Sequence, residues 1–202
     1  RMGFDKLGAG LGGMPVLRRT LEALLAAESI AEIVVVCPPE RWELLGGNFT
    51  KPVRRVDGGV ERQGSVAAGL AAVSSSHVAV HDGARPLISP GDIDRCVAAA
   101  HEHRAAALAR QATETLKRSD ATGFSAEAVS RERLWFMETP QVFETALLAE
   151  AYAAVAAQGL AVTDEVSAME ILGVRVKLVE STGWNLKITT AADLALAEAI
   201  LR

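Results

Sequence analysis

The ten-residue stretch His77-Val78-Ala79-Val80-His81-Asp82-Gly83-Ala84-Arg85-Pro86 decides how the chain is interpreted. Its first half is an apolar run typical of a β-strand, and the run stops at an acid, two small residues, a base and a proline. A strand that ends in this way places the carboxylate of Asp82 and the guanidinium of Arg85 at its carboxyl end. Open α/β sheets bind their ligands at that edge, so we predict the functional site there.

The segments on both sides of this strand alternate between strand patterns and helix patterns. We predict strands at Ile33–Cys37, His77–His81, Ala105–Ala109 and Val174–Val179. We predict helices over Pro15–Ala27, Arg62–Val73, Glu144–Ala157 and Thr163–Leu172, one opened by Ser89-Pro90, and a last one with Thr190 and Asp193 at capping-box spacing. This alternation predicts an α/β fold with a mostly parallel sheet and helices on both faces.

The composition limits the class of protein. The 202 residues suit a single domain, and because 50% are hydrophobic but only 4% aromatic, the core must consist mostly of Ala, Val, Leu and Ile. A net charge of −4 gives no reason to expect a nucleic-acid partner. Cys37 and Cys96 lie far apart and outside metal-ligand spacing, which argues against a disulfide framework or a zinc site. We therefore expect a reduced, cytoplasmic setting. No apolar stretch reaches the length of a membrane span, so we expect no membrane partner.

Residues 113–141 interrupt the alternation, because their helical and strand periods both weaken and charged, Thr and Ser residues dominate. We predict an inserted arm there, within a single domain that spans residues 1–202. The segment is too polar to fold alone, yet it contains the apolar run Leu134-Trp135-Phe136-Met137. We therefore expect the arm of a second copy to cover it and to form a homodimer.

Five short segments place polar groups at the ends of predicted elements: Arg1–Lys6, Gly58–Ser65, His81–Pro86, Thr163–Glu165 and Asn185–Thr189. Each has an ordinary structural explanation when taken alone. A glycine pair suits any helix entry, Asp82 and Arg85 could form a structural ion pair, and Thr163-Asp164-Glu165 could be a helix cap. Lys187 could simply be solvated.

Taken in order, the segments resemble the 2-C-methyl-D-erythritol 4-phosphate cytidylyltransferase family from Arg1 to the C-terminus. The motifs that carry the resemblance are Val56-Asp57-Gly58-Gly59-Val60-Glu61-Arg62-Gln63-Gly64-Ser65-Val66, His81–Pro86 with glycine at 83, Glu114-Thr115-Leu116-Lys117-Arg118, Leu134-Trp135, Thr139-Pro140-Gln141, Thr163-Asp164-Glu165 and Asn185-Leu186-Lys187-Ile188-Thr189. No motif is specific by itself, whereas their combination is.

The resemblance implies a Rossmann-like nucleotidyltransferase in which the phosphate of methylerythritol phosphate attacks the α-phosphorus of CTP and pyrophosphate leaves. Catalysis of this kind depends on positioning and on neutralising negative charge, with Mg²⁺ or another divalent cation as the expected cofactor. The implied catalytic residues are Arg1, Lys6, Arg131 and Lys187. The implied substrate-binding residues are Gly59, Arg62 and Ser65 for the cytidine, Asp82, Arg85 and Thr163 for the sugar phosphate, with Gly83 and Thr139 beside them. The metal ligands are left unassigned.

The chain departs from the family pattern at three places. Ser130 stands where the family has an acid before the arm arginine, which corresponds to Arg131 and is expected to reach the neighbouring subunit's site, and Glu114 replaces an aspartate. The strand and glycine-rich turn that precede Arg1 in the family are absent, and we expect them upstream in the native chain. Two alternatives stay open: a cytidylyltransferase for another polyol phosphate, such as ribitol 5-phosphate, and a nucleotide-binding relative without catalytic activity.

Overall fold

A computed structural model describes residues 5–202, which form strands and helices in alternation. The strands are β1 (Gly10–Leu11), β2 (Met14–Pro15), β3 (Ile33–Val36), β4 (Val53–Val56), β5 (His77–Val80), β6 (Ala105–Gln111), β7 (Leu116–Ser119), β8 (Ser125–Val129), β9 (Trp135–Glu144) and β10 (Lys177–Glu180). The helices are α1 (Val16–Ala26), α2 (Pro39–Glu43), α3 (Arg62–Ala72), α4 (Pro90–His103), α5 (Thr145–Ala157), α6 (Glu165–Ile171) and α7 (Ala191–Ile200).

The central sheet has the strand order β10-β6-β9-β5. Strands β10 and β6 are parallel, and β9 is antiparallel to both of its neighbours, so β5, β6 and β10 run in one direction. Strands β3 and β4 form a separate parallel pair. The structure confirms the predicted α/β fold with helices around a central sheet, and it adds an antiparallel strand inside that sheet.

The two faces of the central sheet are covered by different helices. On one face Ile93, Cys96 and Val97 of α4 pack with Leu108 of β6 and Val142 of β9. On the other face, α5 and α6 supply a second cluster with Phe143, Leu147, Leu148, Ala151, Tyr152 and Met169. Strand β6 begins with five consecutive residues, Ala105–Ala109, that are fully buried, as expected for a core built with few aromatic side chains.

Local capping signals in the sequence match the helix starts. The Ser89 side chain accepts a hydrogen bond from the Asp92 backbone N–H at 3.1 Å, and Pro90 occupies the first turn of α4. Thr190 and Asp193 form the predicted capping box of α7. Both helices therefore begin where their cap residues predict.

A cavity of about 310 Å³ separates the β3–β4 pair from the central sheet. Its walls are β3 and β5 at the sides and the apolar faces of α1 and α3 above and below. Asp82, Arg62 and Ser65 line the same cavity.

The predicted arm, residues 113–141, divides into two parts. Strands β7 and β8 pair as an antiparallel hairpin, with Leu116 opposite Val129, and the hairpin is largely exposed. Residues 135–141, in contrast, belong to β9 of the central sheet. None of the helices in residues 5–202 combines the length and the apolar character needed to cross a bilayer.

Candidate active site

The loop after β5 and the loop before α7 meet at the carboxyl edge of the sheet. The Ile188 backbone N–H donates to the Ala84 carbonyl at 2.8 Å, which holds the two loops together. Lys187 Nζ then lies 2.8 Å from Asp82 Oδ2, and Arg85 Nε lies 3.5 Å from the same oxygen. Two cations and one carboxylate from segments a hundred residues apart therefore share one site.

The carboxyl group of Asp82 is kept charged by these neighbours. Burial by itself would raise the pKa of Asp82, but the hydrogen bond and the charge of Lys187, followed by the charges of Arg85 and Arg62, outweigh burial. The net effect holds the pKa of Asp82 below its usual value. Asp82 is thus a charged carboxylate that pairs with two cations, Lys187 and Arg85.

Arg85 is buried and anchored from below. Its Nη1 donates to the Asn185 carbonyl at 2.7 Å, and Asn185 Nδ2 in turn donates to the Thr139 carbonyl at 2.8 Å and to Glu138 Oε2 at 3.0 Å. Within the described residues, Arg85 Nε has no hydrogen-bond partner. The hydrogen bond from Nη1 to the Asn185 carbonyl thus fixes the Arg85 guanidinium, and Nε is directed towards Asp82.

Thr139 and His81 form the floor of the site. The Asp82 backbone N–H donates to Thr139 Oγ1 at 3.1 Å, and the same hydroxyl lies within hydrogen-bond distance of His81 Nδ1, at 3.0 Å. Burial lowers the pKa of His81 to about 4, which keeps the ring neutral at physiological pH.

The glycine-rich loop before α3 is folded around Ser65. Ser65 Oγ accepts from the Gly59 backbone N–H at 3.1 Å and lies 3.2 Å from the Glu61 carbonyl. A Cβ at Gly59 would lie 2.8 Å from the Gly64 carbonyl carbon, which no real side chain tolerates. The loop therefore needs glycine at 59 because its two ends approach closely.

Arg62 is joined to the segment Thr163-Asp164-Glu165 by a two-bond fork. Its Nη1 and Nη2 donate to the two carboxylate oxygens of Glu165 at 2.7 and 2.8 Å. Glu165 begins α6, and Asp164 is the N-cap of that helix, its Oδ1 accepting from the Ser167 backbone N–H at 3.0 Å. This fork brings the predicted nucleotide side and the predicted acceptor side of the site together.

The comparison with known proteins agrees with this geometry. The sequence matches the family model described as 2-C-methyl-D-erythritol 4-phosphate cytidylyltransferase (IspD) over residues 1–202. The chain belongs to this family. The family resemblance expected from the motifs is therefore confirmed.

Individual relatives are similar over nearly their whole length. The 2-C-methyl-D-erythritol 4-phosphate cytidylyltransferase of Pelotomaculum thermopropionicum is 39% identical over 214 residues, covering 100% of this chain and 89% of the relative. The crystal structure of that cytidylyltransferase from Thermus thermophilus superposes with a TM-score of 0.84 at 37% identity, covering 97% of this chain and 93% of the other. The 4-diphosphocytidyl-2C-methyl-D-erythritol synthase of Anaerococcus prevotii superposes with a TM-score of 0.87 at 28% identity, covering 95% and 88%.

Most of the residues that the cytidylyltransferase resemblance singled out lie around this edge. Arg85 and Lys187 both contact Asp82, and the Thr139 hydroxyl accepts from the Asp82 backbone N–H. Thr163 is exposed at the entrance to α6, with its hydroxyl 3.4 Å from Ser167 Oγ. A Cβ at Gly83 would lie 2.7 Å from Leu17 Cδ1, and the Gly83 carbonyl accepts from Thr20 Oγ1 at 2.9 Å.

The other predicted residues are not part of this contact network. Arg131 donates to the Thr113 carbonyl at the base of the hairpin. Lys6 lies in a turn that the Asp5 carboxylate stabilises by accepting from the backbone N–H groups of Leu7 and Gly8, at 3.2 and 3.1 Å. Arg1 and the strand expected before it lie outside the described residues.

Sequence reasoning did not single out four residues that organise the site: Glu138, Gln141, Tyr152 and Asn185. All four are buried, and they hold Arg85, Glu165 or the backbone of α6. Asn185 and Gln141 belong to motifs that the sequence analysis quoted, so membership in a cytidylyltransferase motif was the available signal. Nothing in the local pattern marks Tyr152.

A divalent cation would find few protein ligands at this edge. Among the residues that the structure describes, no three His, Cys, Asp or Glu side chains come together as a metal site. Asp82 is the carboxylate that faces the cations, and both of its contacts fall on Oδ2. Mg²⁺ usually takes only one or two protein carboxylates and completes its shell with water and substrate phosphates, so a single carboxylate suits it.

Proposed function

We propose that the chain is a 2-C-methyl-D-erythritol 4-phosphate cytidylyltransferase of isoprenoid precursor biosynthesis. A phosphate oxygen of methylerythritol phosphate forms a bond to the α-phosphorus of CTP, and the bond from that phosphorus to the bridging oxygen of the β-phosphate breaks. The products are 4-diphosphocytidyl-2-C-methyl-D-erythritol and pyrophosphate. Family membership supports this assignment.

The observation that carries the proposal is the pairing of Lys187 and Arg85 with Asp82, beside a cavity that Arg62 also lines. Phosphoryl transfer gains little from a protein nucleophile and much from cations that hold the phosphates in line. Lys187 and Arg85 are set to bind the acceptor phosphate, with Thr163 at the rim. Asp82 orients the two cations.

The nucleotide would lie beside the glycine-rich loop. Gly59 is exposed, Ser65 holds the loop closed by accepting from the Gly59 backbone N–H, and Arg62 lines the same cavity as Asp82. When bound, Mg²⁺ would neutralise charge on the triphosphate and so favour departure of pyrophosphate. Asp82 would be its protein ligand, and the triphosphate and water would supply the other ligands.

We propose further that the protein is a homodimer joined through the β7–β8 hairpin. An isolated two-stranded hairpin is marginally stable in water, and this one carries Phe124 at its tip with 73% of that residue exposed. Leu134 and Phe136 at its base are more than a third exposed. A second copy would cover these groups and bring Arg131 towards the neighbouring site.

A reducing compartment such as the cytoplasm suits the cysteines. Cys37 and Cys96 are free and buried, and burial raises the pKa of both thiols, that of Cys96 to about 12. Neither thiol is poised to react at neutral pH.

Pyrophosphate release from CTP, measured across a panel of polyol phosphates with Mg²⁺, tests the function. We expect turnover with methylerythritol phosphate and much less with ribitol 5-phosphate, and loss of turnover when EDTA removes the cation. Lys187→Ala should abolish most turnover, whereas the control Lys177→Ala, an exposed lysine on β10, should not. Higher turnover with ribitol 5-phosphate would favour the first alternative, and CTP binding without any turnover would favour the second.

A further inference from the structure

Glu165 is the most deeply buried charged side chain near the site, with no exposed surface. Its carboxylate receives three hydrogen bonds: two from the Arg62 guanidinium, at 2.7 and 2.8 Å, and one from the Tyr152 hydroxyl to Oε1 at 2.9 Å. A buried carboxylate is costly unless its oxygens are satisfied in this way. Each oxygen of the Glu165 carboxylate therefore accepts at least one hydrogen bond.

The backbone of Glu165 is also held in place. Gln141 Oε1 accepts from the backbone N–H groups of Glu165 and Val166, both at 3.1 Å, and Gln141 Nε2 donates to Asp164 Oδ2 at 3.1 Å. Because Gln141 lies on β9, the start of α6 is fixed to the central sheet. The backbone that carries the Glu165 side chain is therefore held in a fixed position relative to the sheet.

Arg62 differs from Glu165 in that much of it remains accessible. Its side chain is 41% exposed, and it lines the same 310 Å³ cavity as Asp82. A guanidinium has five N–H donors, and the fork with Glu165 uses two of them. The fork fixes the plane of the group and leaves the other donors directed away from Glu165.

We propose that Glu165 is a positioning residue that holds the Arg62 guanidinium in the orientation needed to bind CTP, with Tyr152 and Gln141 as its supports. This inference rests on the proposed function, because it takes Arg62 as a nucleotide-binding residue. It assigns Glu165 to the nucleotide side of the site, although Thr163, two residues earlier in the same motif, is assigned to the acceptor side.

The test compares the kinetics of Glu165→Gln, Glu165→Asp and Tyr152→Phe in the full chain. Glu165→Gln retains the shape of the side chain but loses the charge, so the KM for CTP should rise roughly 10- to 100-fold while the KM for methylerythritol phosphate changes little. Glu165→Asp should restore part of the affinity because the charge returns. Tyr152→Phe leaves the fork intact and should give a smaller rise in the same direction.

Asp92→Asn is the matched control. Asp92 is also a buried carboxylate that pairs with an arginine, Arg95, and it accepts from Thr182 Oγ1 at 2.8 Å. This variant should lower the melting temperature and leave the KM for CTP unchanged. An equal change of KM in Asp92→Asn and Glu165→Gln would overturn the proposal.

A double variant separates the two proposals. If Glu165 acts through Arg62, then Glu165→Gln added to Arg62→Ala should change the KM for CTP no further. Additive effects would show that Glu165 acts independently and would overturn the positioning role. An unchanged KM in Arg62→Ala would instead remove Arg62 from the nucleotide site, and absence of turnover in the wild type would contradict the proposed function itself. If Glu165→Gln does not fold, the same comparison is made with Tyr152→Phe and with Glu165→Asp. Each is measured alone and combined with Arg62→Ala, and the proposal again requires that the combination change the KM for CTP no further than Arg62→Ala alone.

Discussion

His81 lies beneath the site, and its imidazole is neutral in the folded protein. Protonation of this ring at low pH therefore favours the unfolded chain and lowers stability. Its pKa is lowered from 6.5 to about 4 by burial. Between these two values the unfolded chain binds a proton that the folded chain excludes, so stability falls as the pH is lowered through this window. The full contribution is on the order of 3 kcal/mol.

We therefore expect the free energy of unfolding in urea to fall between pH 6.5 and about 4, and His81→Asn to lose a large part of this dependence. His103→Asn, at an exposed histidine near the end of α4, is the control and should retain the wild-type dependence. An identical pH dependence in the His81 variant and the wild type would show that the ring is protonated in the folded protein.

Gly59 is required by a close backbone approach. In Gly59→Ala the new Cβ would meet the backbone of Gly64 at 2.8–2.9 Å, so the loop must open. We expect a loss of about 1–3 kcal/mol of stability and a roughly tenfold higher KM for CTP. Gly47→Ala is the control, because a Cβ there meets nothing within 4 Å. An unchanged KM in Gly59→Ala would separate this loop from the nucleotide.

At the scale of elements, the start of α7 is coupled to the site through the loop that carries Lys187. Asp193 Oδ2 accepts from the backbone N–H groups of Thr189 and Thr190 at 2.9 and 2.7 Å, and the hydrogen bonds from Thr189 are the main reason that the pKa of Asp193 is lowered to about 2. Ala197 of the same helix packs in one cluster with Ile188. The cap therefore fixes both the helix and the loop.

Thr190→Ala should cost about 1 kcal/mol and raise the KM for methylerythritol phosphate, whereas Thr190→Ser keeps the capping oxygen and should change neither. The contribution of Asp193 is fully present above its ordinary pKa of 3.8 and is lost as the pH falls towards 2. Urea unfolding measures the loss of stability in Thr190→Ala, and steady-state kinetics measure the change in the KM for methylerythritol phosphate. A stability loss without any change in KM would show that the loop is held independently of α7.

At the scale of the whole molecule, the β7–β8 hairpin is the element that we expect to form the dimer. Replacing Leu116–Val129 with a short Gly-Ser linker should give a monomer of low activity in sedimentation velocity. Phe124→Ser should weaken the dimer, and the control Leu160→Ser, at another exposed apolar side chain, should not. A fully active dimer that lacks the hairpin would exclude this interface.

Arg131 supplies a second test of the assembly. If it reaches the neighbouring subunit's site, Arg131→Ala should raise the KM for methylerythritol phosphate and leave CTP binding nearly unchanged. Mixing Arg131→Ala and Lys187→Ala subunits should then restore activity at low methylerythritol phosphate concentration, because each mixed dimer contains one intact site. No recovery on mixing would place both residues in one subunit's site, or Arg131 outside it.

The sequence by itself determined the elements whose signals are local. The helix over Val16–Ala26, the cap of α4 at Ser89 and the capping box of α7 depend on residues within a few positions of one another. The end of β5 also placed Asp82 and Arg85 at the carboxyl edge of the central sheet. The family resemblance likewise followed from motifs that are each short and ordered along the chain.

Only the tertiary structure decided where β9 runs and which residues Glu165 contacts. Glu138, Thr139 and Gln141 interrupt the apolar pattern of β9, yet they are buried because Asn185, Asp82 and the start of α6 satisfy their hydrogen bonds. The Arg62–Glu165 fork joins residues 103 positions apart. A local pattern reports on neighbours along the chain, whereas the burial of a polar group depends on partners that only folding brings within hydrogen-bond distance.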